Sequence, residues 1–357
     1  MDMIDFLEDY EGEPLKLMEV CGTHTASIFK SGIRSILPEG IRLVSGPGCP
    51  VCVTPPAFID ACVEISDTPR HTLLSFGDMM KVPGESETLS SAIAMGSEIK
   101  MIYSPFEAID FAEEFPDETF VVAAVGFETT APAFALLIDE IRSRGLVNIK
   151  LLTALKNTVS AIEWICENEP EISGFIAPGH VSVITGADAF VSLSKKYGRP
   201  FVVAGFEEEQ IVRAIYTLVK LALGTPTGAV VNQYEEVVSG EGNLKAQAKL
   251  AEYFEPYDAA WRGLGTIPNS GFRLRPEFAE YDISPELPDH LRKAIDASAA
   301  AGMAGEAEGC RCSDIITGRI DPMDCPLFAT ACTPNNPIGP CMVSSEGACG
   351  IWHRNIL

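Results

Sequence analysis

The sequence predicts an α/β protein: two α/β domains with mostly parallel sheets, followed by a helical and irregular C-terminal domain. Three observations support this. From residue 16 to about residue 235, short apolar runs alternate with stretches that have the apolar spacing of amphipathic helices. Such alternation is typical of parallel sheets covered by helices. Beyond residue 235 the alternation stops, and six of the eleven cysteines lie in the last 48 residues.

Eight apolar runs have the length and composition of strands. They cover residues 16–20, 41–46, 71–77, 100–104, 120–127, 149–155, 174–179 and 200–206. Between them lie helical patterns such as PAFIDACVEIS, SETLSSAIAMGS, APAFALLIDEIRSRG and EEEQIVRAIYTLVKLAL. Each strand is therefore expected to return to its sheet through a helix.

The α/β region is long for one small sheet, so we divide it near Pro116. The predicted domains are two Rossmann-like units over residues 1–116 and 117–235 and a C-terminal domain over residues 236–357. In the last, NLKAQAKLAEYFEPY and ELPDHLRKAIDASAAAG are predicted helices, and WRGLGTIPNSGFRLRP is a predicted loop between them.

Composition excludes several functions. The formal net charge is −24, with 50 acidic and 26 basic residues, which argues against binding to nucleic acid or an anionic membrane. The sequence shows neither a signal peptide nor an apolar run that could span a bilayer, so we expect a cytoplasmic protein. In that reducing compartment, cysteines more often bind metals or carry out redox chemistry than form structural disulfides. The absence of GxxxxGK[ST] and of GxGxxG after a strand argues against a nucleotide-driven motor or a nicotinamide dehydrogenase.

The cysteine-rich tail carries the strongest motif. Four cysteines are its predicted metal ligands: Cys325, Cys332, Cys341 and Cys349. Four thiolates hold either tetrahedral zinc or an iron–sulfur cluster. Zinc ribbons favour tight C-x2-4-C pairs, which these four lack, so the spacing favours an iron–sulfur cluster over zinc. The role of Cys310 and Cys312 is left open. They could supply an alternative ligand, place a thiol beside the ligands, or have no metal role.

Several motifs follow predicted strands, where the ligand crevice of an open α/β sheet forms. In CGTHT, Cys21 and His24 can reach one ion, or the histidine can lower the thiol pKa; a chance pairing is the alternative, and the position after a strand favours function. In GFETTAP, Thr129 and Thr130 precede a helix whose exposed N–H groups suit an anion, although a well-capped helix explains the pattern equally well. Glu128 and, in APGHVS, His180 are further candidates for binding a ligand or cofactor, with a solvated carboxylate and a structural histidine as the alternatives.

SGPGCPVC holds Cys49 and Cys52 in a C-x-x-C pair that opens towards a predicted helix. Such a pair suits dithiol–disulfide exchange. Half of a metal site, completed by the CGTH motif, and a stiff structural turn are the alternatives. The local sequence ranks the redox couple first and leaves all three open.

Together, six segments closely resemble the HypD family of nickel–iron hydrogenase maturation proteins. They are CGTHT, SGPGCPVCVTP, FGDMMKVPG, GFETTAPA, PGHVS and DCPLFATACTPNNPIGPCMVSSEGAC. They occur in this order over about residues 14 to 352, and the SGPGCPVC and tail segments are very specific.

The resemblance implies two α/β domains and a third domain with a 4Fe–4S cluster, which maps onto the four tail cysteines. It implies a complex with a HypC-type small chaperone that holds one iron, on which cyanide and carbon monoxide ligands are assembled. A HypE-type partner delivers the cyanide, and the product passes to the hydrogenase large subunit. Cys21 is the expected iron ligand, with His24 beside it, and Cys49 and Cys52 are expected to take part in redox chemistry.

The residue chemistry is compatible with this expectation. Iron with cyanide and carbonyl ligands favours a soft thiolate anchor, which Cys21 supplies. Cyanide is an anion, which the helix start at Thr129 and Thr130 suits. We hypothesise that Cys49 and Cys52 cycle between dithiol and disulfide with the cluster as electron relay, and thiol counts that do not change between reduced and oxidised protein would refute this.

Two other functions compete with the assembly scaffold. One is a ferredoxin-linked disulfide reductase, in which a 4Fe–4S cluster reduces the Cys49/Cys52 pair for a protein substrate. The other is a purely structural zinc protein, which keeps the tail site and assigns no chemistry to the crevice.

Overall fold

The computed structural model describes residues 3–224, 229–297 and 307–356. Its strands are β1 (Leu15–Glu19), β2 (Ile41–Ser45), β3 (His71–Phe76), β4 (Ile99–Ile102), β5 (Thr119–Gly126), β6 (Ile149–Lys156), β7 (Ile172–Ala177), β8 (Phe201–Val203), β9 (Val230–Asn232), β10 (Phe254–Trp261) and β11 (Gly265–Leu274). The first eight match the predicted strands to within a few residues. The α/β class is therefore confirmed.

Helices follow most of the strands. They are α1 (Met3–Glu8), α2 (Gly22–Lys30), α3 (Ile33–Ile36), α4 (Pro56–Asp67), α5 (Leu89–Met95), α6 (Glu107–Glu114), α7 (Ala131–Arg144), α8 (Thr158–Asn168), α9 (Gly179–Thr185), α10 (Val191–Tyr197), α11 (Glu208–Leu223), α12 (Leu244–Tyr253), α13 (Asp289–Ala297), α14 (Cys312–Ile316), α15 (Pro340–Val343) and α16 (Ala348–Ile356). Within the described ranges, none of these helices is long and apolar enough to cross a membrane.

Two sheets organise the strands. The five-stranded sheet has the order β2-β1-β7-β8-β9, and all of its neighbouring strands are parallel. The six-stranded sheet has the order β10-β11-β6-β5-β3-β4, in which β6, β5, β3 and β4 are parallel. An antiparallel hairpin, β10–β11, extends the second sheet beyond β6.

The division between the sheets does not coincide with the boundary predicted near Pro116. The five-stranded sheet combines β1 and β2 with β7 to β9, whereas β3 to β6 belong to the other sheet. The chain therefore passes from one sheet to the other after β2 and returns at β7. Apolar runs identify strands, but they carry no information about which strands become neighbours. The predicted boundary therefore assumed that consecutive strands share a sheet.

The C-terminal region differs from prediction at the hairpin. The helix predicted over NLKAQAKLAEYFEPY ends at Tyr253, and the predicted loop WRGLGTIPNSGFRLRP contains the turn and the whole of β11. Gly263 and Gly265 have φ values of +78° and +79°, a conformation that favours glycine and closes the turn. The second predicted helix is observed as α13, and its last residues lie outside the described part of the chain.

One hydrophobic core joins the parts that carry the candidate site. It contains Cys49 and Cys52 of the CPVC loop, Trp261 of the hairpin, and apolar side chains of the tail such as Met342 and Trp352. These segments are far apart in sequence. The tail therefore packs on the α/β framework as part of the same core.

Lys156, at the end of β6, is buried in this framework. Its Nζ donates a hydrogen bond to Ala260 O at 2.6 Å and lies 5.3 Å from the centre of the Trp261 ring. Burial lowers the pKa of Lys156 to about 7 from 10.5, because the charged form loses its hydration.

The substitution Lys156→Met tests this burial. Between pH 7 and 10.5 the unfolded state binds the lysine proton and the folded state does not, so the free energy of unfolding rises with pH, by at most about 1.4 kcal/mol per unit. We expect urea titrations from pH 7 to 9 to show a smaller slope in Lys156→Met than in the wild type. The exposed control Lys195→Met keeps the wild-type slope; equal slopes in all three proteins would contradict the prediction.

Candidate functional site

The CGTH loop lies where β1 ends and α2 begins. Cys21 immediately precedes α2, and its backbone N–H donates to Glu19 Oε2 at 3.1 Å. Thr25 Oγ1 donates to the other oxygen of Glu19. The pKa of the Cys21 thiol is raised to about 11, mainly by burial and to a smaller extent by the Glu19 carboxylate. Without a bound metal, Cys21 is therefore a protonated, buried thiol.

Glu19 is the buried carboxyl group that organises this loop. Its pKa is raised to about 7, because burial outweighs the hydrogen bonds from Thr25 and from the Cys21 backbone. It was not among the predicted site residues. The available signal was its place as an acidic residue directly after the apolar pair Leu17–Met18, at the end of a strand.

His24 is fully buried in the first turn of α2. Its Nε2 lies 3.0 Å from Gly205 O; because a carbonyl oxygen only accepts, Nε2 carries the proton. Burial lowers the pKa of His24 to about 4, so the ring is neutral at physiological pH. Its Nδ1 makes no hydrogen bond with any described residue. This nitrogen is therefore a buried acceptor without a hydrogen-bond donor among the described residues.

An aromatic side chain joins the two candidate histidines. The Phe206 ring lies 4.7 Å from the His24 ring and 4.1 Å from the His180 ring, measured between centroids. His180, in the first turn of α9, is exposed on one side. Its packing against neighbouring side chains removes part of its hydration, which lowers its pKa. The structure thus brings His180 and His24 into one stack. Phe206 was missed, because a single aromatic residue after a strand carries no distinctive pattern.

The GPGC loop packs directly against the CGTH loop. The Gly46 N–H donates to Glu19 O at 2.7 Å. A Cβ atom added to Gly48 would lie 2.6 Å from Cys21 N, a distance that side chains do not tolerate. Cys49 and Cys52 are buried and form a disulfide bond. The Cys49/Cys52 pair therefore adjoins the loop that carries Cys21.

The tail closes over both loops. A Cβ atom on Gly22 would lie 2.4 Å from Glu346 O, and Cys52 Sγ lies 3.9 Å from Pro340 O. Trp352 of α16 packs edge-on against Phe29 of α2, with ring centroids 4.8 Å apart. The end of the chain is consequently held against the first of the predicted site residues.

Five tail cysteines line one small pocket. They are Cys310, Cys312, Cys325, Cys332 and Cys349. Three of them belong to the four predicted ligands. The fourth predicted ligand, Cys341, is fully buried and hydrogen-bonded to Cys312, but it does not line this pocket. Cys310 and Cys312, whose role the sequence leaves open, both line the pocket.

The thiols of this group favour their protonated forms. The pKa of Cys312 is raised well above its usual value, mainly by hydrogen bonds with Cys310 and Cys341. The pKa of Cys349 is likewise raised, mainly by Cys312 and by burial. Among the described residues, no three His, Cys, Asp or Glu side chains converge as ligands of a single metal ion. The five pocket cysteines lie around a small cavity and do not meet at one point.

Glu128, Thr129 and Thr130 lie in the connection between β5 of the six-stranded sheet and α7. Both Glu128 carboxylate oxygens accept hydrogen bonds from Thr158, one from its backbone N–H and one from its hydroxyl, each at 2.8 Å. Glu128 thus caps α8, and burial raises its pKa. Thr130 immediately precedes α7 without a side-chain cap, and Thr129 is exposed. Both threonines directly precede the start of α7, the helix end that the sequence predicts as an anion site.

The whole chain matches one protein family. The HypD family model, described as "Hydrogenase formation hypA family", matches residues 2–355. The chain belongs to the HypD family. It is 40% identical over 346 residues to the hydrogenase maturation factor HypD of Azotobacter vinelandii, covering 95% of this chain and 88% of the relative.

Two further HypD proteins show the same extent of similarity. The hydrogenase maturation factor HypD of Escherichia coli (strain K12) is 38% identical over 343 residues, covering 96% of this chain and 89% of the relative. That of Rhodobacter capsulatus is 37% identical over 342 residues, covering 95% and 89%. Membership of the HypD family of hydrogenase maturation factors, predicted from six motifs, is confirmed.

Gly48→Ala tests the contact between the two loops. The added Cβ atom displaces the backbone at Cys21, so we expect the buried thiol to react about tenfold faster with iodoacetamide, as local opening becomes easier. The measurement is the alkylation rate of Cys21 in the folded protein, followed by mass spectrometry. Gly224→Ala is the matched control, because its nearest neighbour would lie 3.4 Å away. An unchanged rate in Gly48→Ala would show that the loops do not constrain each other.

Proposed function

We propose that this HypD-family protein is a cytoplasmic assembly scaffold that, with a HypC-type small chaperone, binds the iron destined for a nickel–iron hydrogenase. Cyanide, delivered by a HypE-type partner, and carbon monoxide become ligands of that iron. The observation that carries the proposal is the packing of the GPGC loop and the tail around Cys21. The disulfide and the pocket cysteines share one hydrophobic core, and Cys21 lies on the loop that packs against the disulfide loop.

Cys21 and His24 provide the iron-binding groups of this chain. A thiolate is a soft ligand that suits iron carrying cyanide and carbon monoxide, and a neutral imidazole nitrogen is also a good iron ligand. Because burial raises the pKa of Cys21, iron binding has to release the thiol proton. His24 Nδ1 needs no deprotonation, since its pKa is already low. Two ligands leave the remaining positions to the partner chaperone and the diatomic ligands.

Cys21→Ser tests the iron site. We expect the co-purified complex with the HypC-type chaperone to lose about one iron per complex, because a serine hydroxyl replaces the soft thiolate. Iron is measured by elemental analysis of anaerobic complexes, with the tail cluster counted separately by its acid-labile sulfide. The control, Cys62→Ser, replaces another buried thiol. Equal iron in all three complexes would contradict the proposed ligand.

The Cys49/Cys52 pair provides the two electrons that release of cyanide from a sulfur-bound carrier requires. A carrier thiocyanate, R–S–CN, reacts with the dithiol to give R–SH, HCN and the Cys49–Cys52 disulfide. The S–C bond breaks, the S–S bond forms, and the two thiol protons end on the carrier sulfur and on cyanide. The pair is in its disulfide form in the structure. A further two electrons and two protons restore the dithiol.

The tail pocket is the proposed site of a 4Fe–4S cluster. Cysteine thiolates hold such a cluster through four separate irons, so they surround a space instead of meeting at one ion. The pocket lined by five cysteines suits this requirement better than it suits a single zinc ion. When bound, the cluster supplies one-electron transfer. The protein contributes the thiols, their hydrogen bonds and an apolar enclosure.

The pocket also narrows the choice of ligands. Cys325, Cys332 and Cys349 remain proposed ligands. The predicted fourth ligand, Cys341, lies beside the pocket, whereas Cys312 lines it. We therefore propose Cys312 in place of Cys341.

Serine variants at Cys312, Cys341 and Cys325 test this assignment. We expect Cys312→Ser and Cys325→Ser to lose most of the iron and acid-labile sulfide, about four of each per protein in the wild type. Cys341→Ser should retain them. The measurements are iron, zinc and sulfide content after anaerobic purification. Loss in Cys341→Ser with retention in Cys312→Ser would restore the ligand set predicted from the sequence, and stoichiometric zinc without sulfide would favour the structural zinc protein.

One observation favours the second candidate, a ferredoxin-linked disulfide reductase. The disulfide itself is formed, and Cys52 lies next to the tail segment that carries the pocket cysteines. A reductase of this kind needs no second metal at Cys21. Iron bound through Cys21 in the complex therefore separates the two functions.

A further inference from the structure

The tail pocket is lined by one cysteine more than the proposed cluster needs. Four thiolates hold a 4Fe–4S cluster, and the proposed ligands are Cys312, Cys325, Cys332 and Cys349. Cys310 is the fifth cysteine of the lining. Of the thiols in the described residues, only that of Cys310 is partly exposed, and the others are buried. Cys310 therefore combines a place at the pocket with access from solution.

Gly339 brings the sulfur of Cys310 next to that of Cys312. A Cβ atom added to Gly339 would lie 2.7 Å from Cys310 Sγ and 2.8 Å from Cys312 Sγ, so both sulfurs pack beside the same glycine. The two thiols are also hydrogen-bonded to each other. Only Arg311 separates them along the chain. Two sulfurs this close can form a disulfide bond with a small movement of the side chains.

Exposure selects this pair among the sulfur neighbours of Cys312. Cys312 is also hydrogen-bonded to Cys341 and Cys349. Those two residues are buried, with exposed fractions of 0% and 5%. A dissolved oxidant reaches a partly exposed sulfur more easily than a buried one. Cys310 is therefore the first sulfur of the pocket to react, and Cys312 is the adjacent thiol that completes the bond.

We propose that Cys310 and Cys312 are a redox-sensitive pair, which a glutathione-type disulfide oxidises before a cluster is inserted. The inference rests on the proposed 4Fe–4S site. The Cys310 sulfur attacks the oxidant G–S–S–G, which gives Cys310–S–S–G and one thiol, G–SH. The Cys312 sulfur then attacks the Cys310 sulfur, forms the Cys310–Cys312 disulfide and releases a second G–SH. The pair loses two electrons and two protons, which end on the two released thiols.

The disulfide closes the pocket to iron. A thiolate is the form of cysteine that binds a metal, and a sulfur bonded to another sulfur is not a thiolate. Oxidation therefore removes one of the four proposed ligands, Cys312, and a reducing dithiol returns it. In the oxidised state the sulfur is also protected from irreversible conversion to sulfinic acid.

Peptide mapping of the full-length, cluster-free protein after treatment with oxidised glutathione tests the pair. Trypsin cuts after Arg311, so it separates Cys310 from Cys312 unless a disulfide joins the two peptides. Remaining thiols are blocked with iodoacetamide, and the digest is analysed by mass spectrometry without reduction. We expect the joined peptides in most of the treated protein and none in protein kept with dithiothreitol.

Cluster reconstitution measures the consequence for the pocket. We expect the oxidised protein to take up about tenfold less iron and acid-labile sulfide than the untreated protein, and dithiothreitol to restore the uptake. Cys310→Ser cannot form the pair, so its uptake should be the same with and without oxidised glutathione. Cys166→Ser removes a buried thiol outside the tail and is the matched control, which should respond as the wild type does.

The peptide map and the uptake decide the proposal together. Glutathione that stays on Cys310, or a bond from Cys312 to Cys341 or Cys349, overturns the pair. Joined peptides with undiminished uptake overturn its effect on the pocket. Both results come from the wild-type chain, so they do not depend on the folding of a variant. Untreated wild type that takes up neither iron nor sulfide contradicts the proposed cluster site, a separate failure, because the map still shows whether the pair forms.

Discussion

The contact between Gly48 and the backbone of Cys21 is the constraint on which the candidate site depends. There is no room for a Cβ atom between the GPGC loop and the CGTH loop, and the same is true between Gly22 and Glu346 of the tail. Three segments that are distant in sequence are consequently fixed against one another by backbone packing. The relative positions of the reactive side chains are therefore fixed even where these side chains do not contact one another.

Burial then determines the chemical state of the groups in this assembly. It keeps Cys21 protonated and His24 neutral, and it raises the pKa of Glu19 to about 7. A site built from neutral groups is less costly to bury than one built from free charges. A soft metal cation can replace the proton of the Cys21 thiol. The tail thiols can exchange their protons for metal in the same way. The same fold can therefore be stable without metal and still present thiolate ligands when metal arrives.

Sequence reasoning predicted the elements better than their arrangement. The eight main strands were predictable because each is a short apolar run followed by a helical pattern. The order of strands was not, since β1 and β7 carry no signal that makes them neighbours. The β10–β11 hairpin was missed because its glycines and prolines resemble a loop. Within the site, specific motifs predicted Cys21, Cys49 and Cys52, whereas Glu19 and Phe206 join them through burial and contact, which only the fold supplies.

The proposed role of Cys21 is to anchor an iron that receives cyanide and carbon monoxide, in a loop packed against the disulfide loop and the tail. The most direct measurement is the infrared spectrum of the anaerobic complex co-purified with its HypC-type chaperone. We expect stretching bands from iron-bound cyanide and carbon monoxide in the wild-type complex, and none in the complex of the Cys21→Ser variant. A wild-type complex without these bands, or a serine variant that retains them, would contradict it.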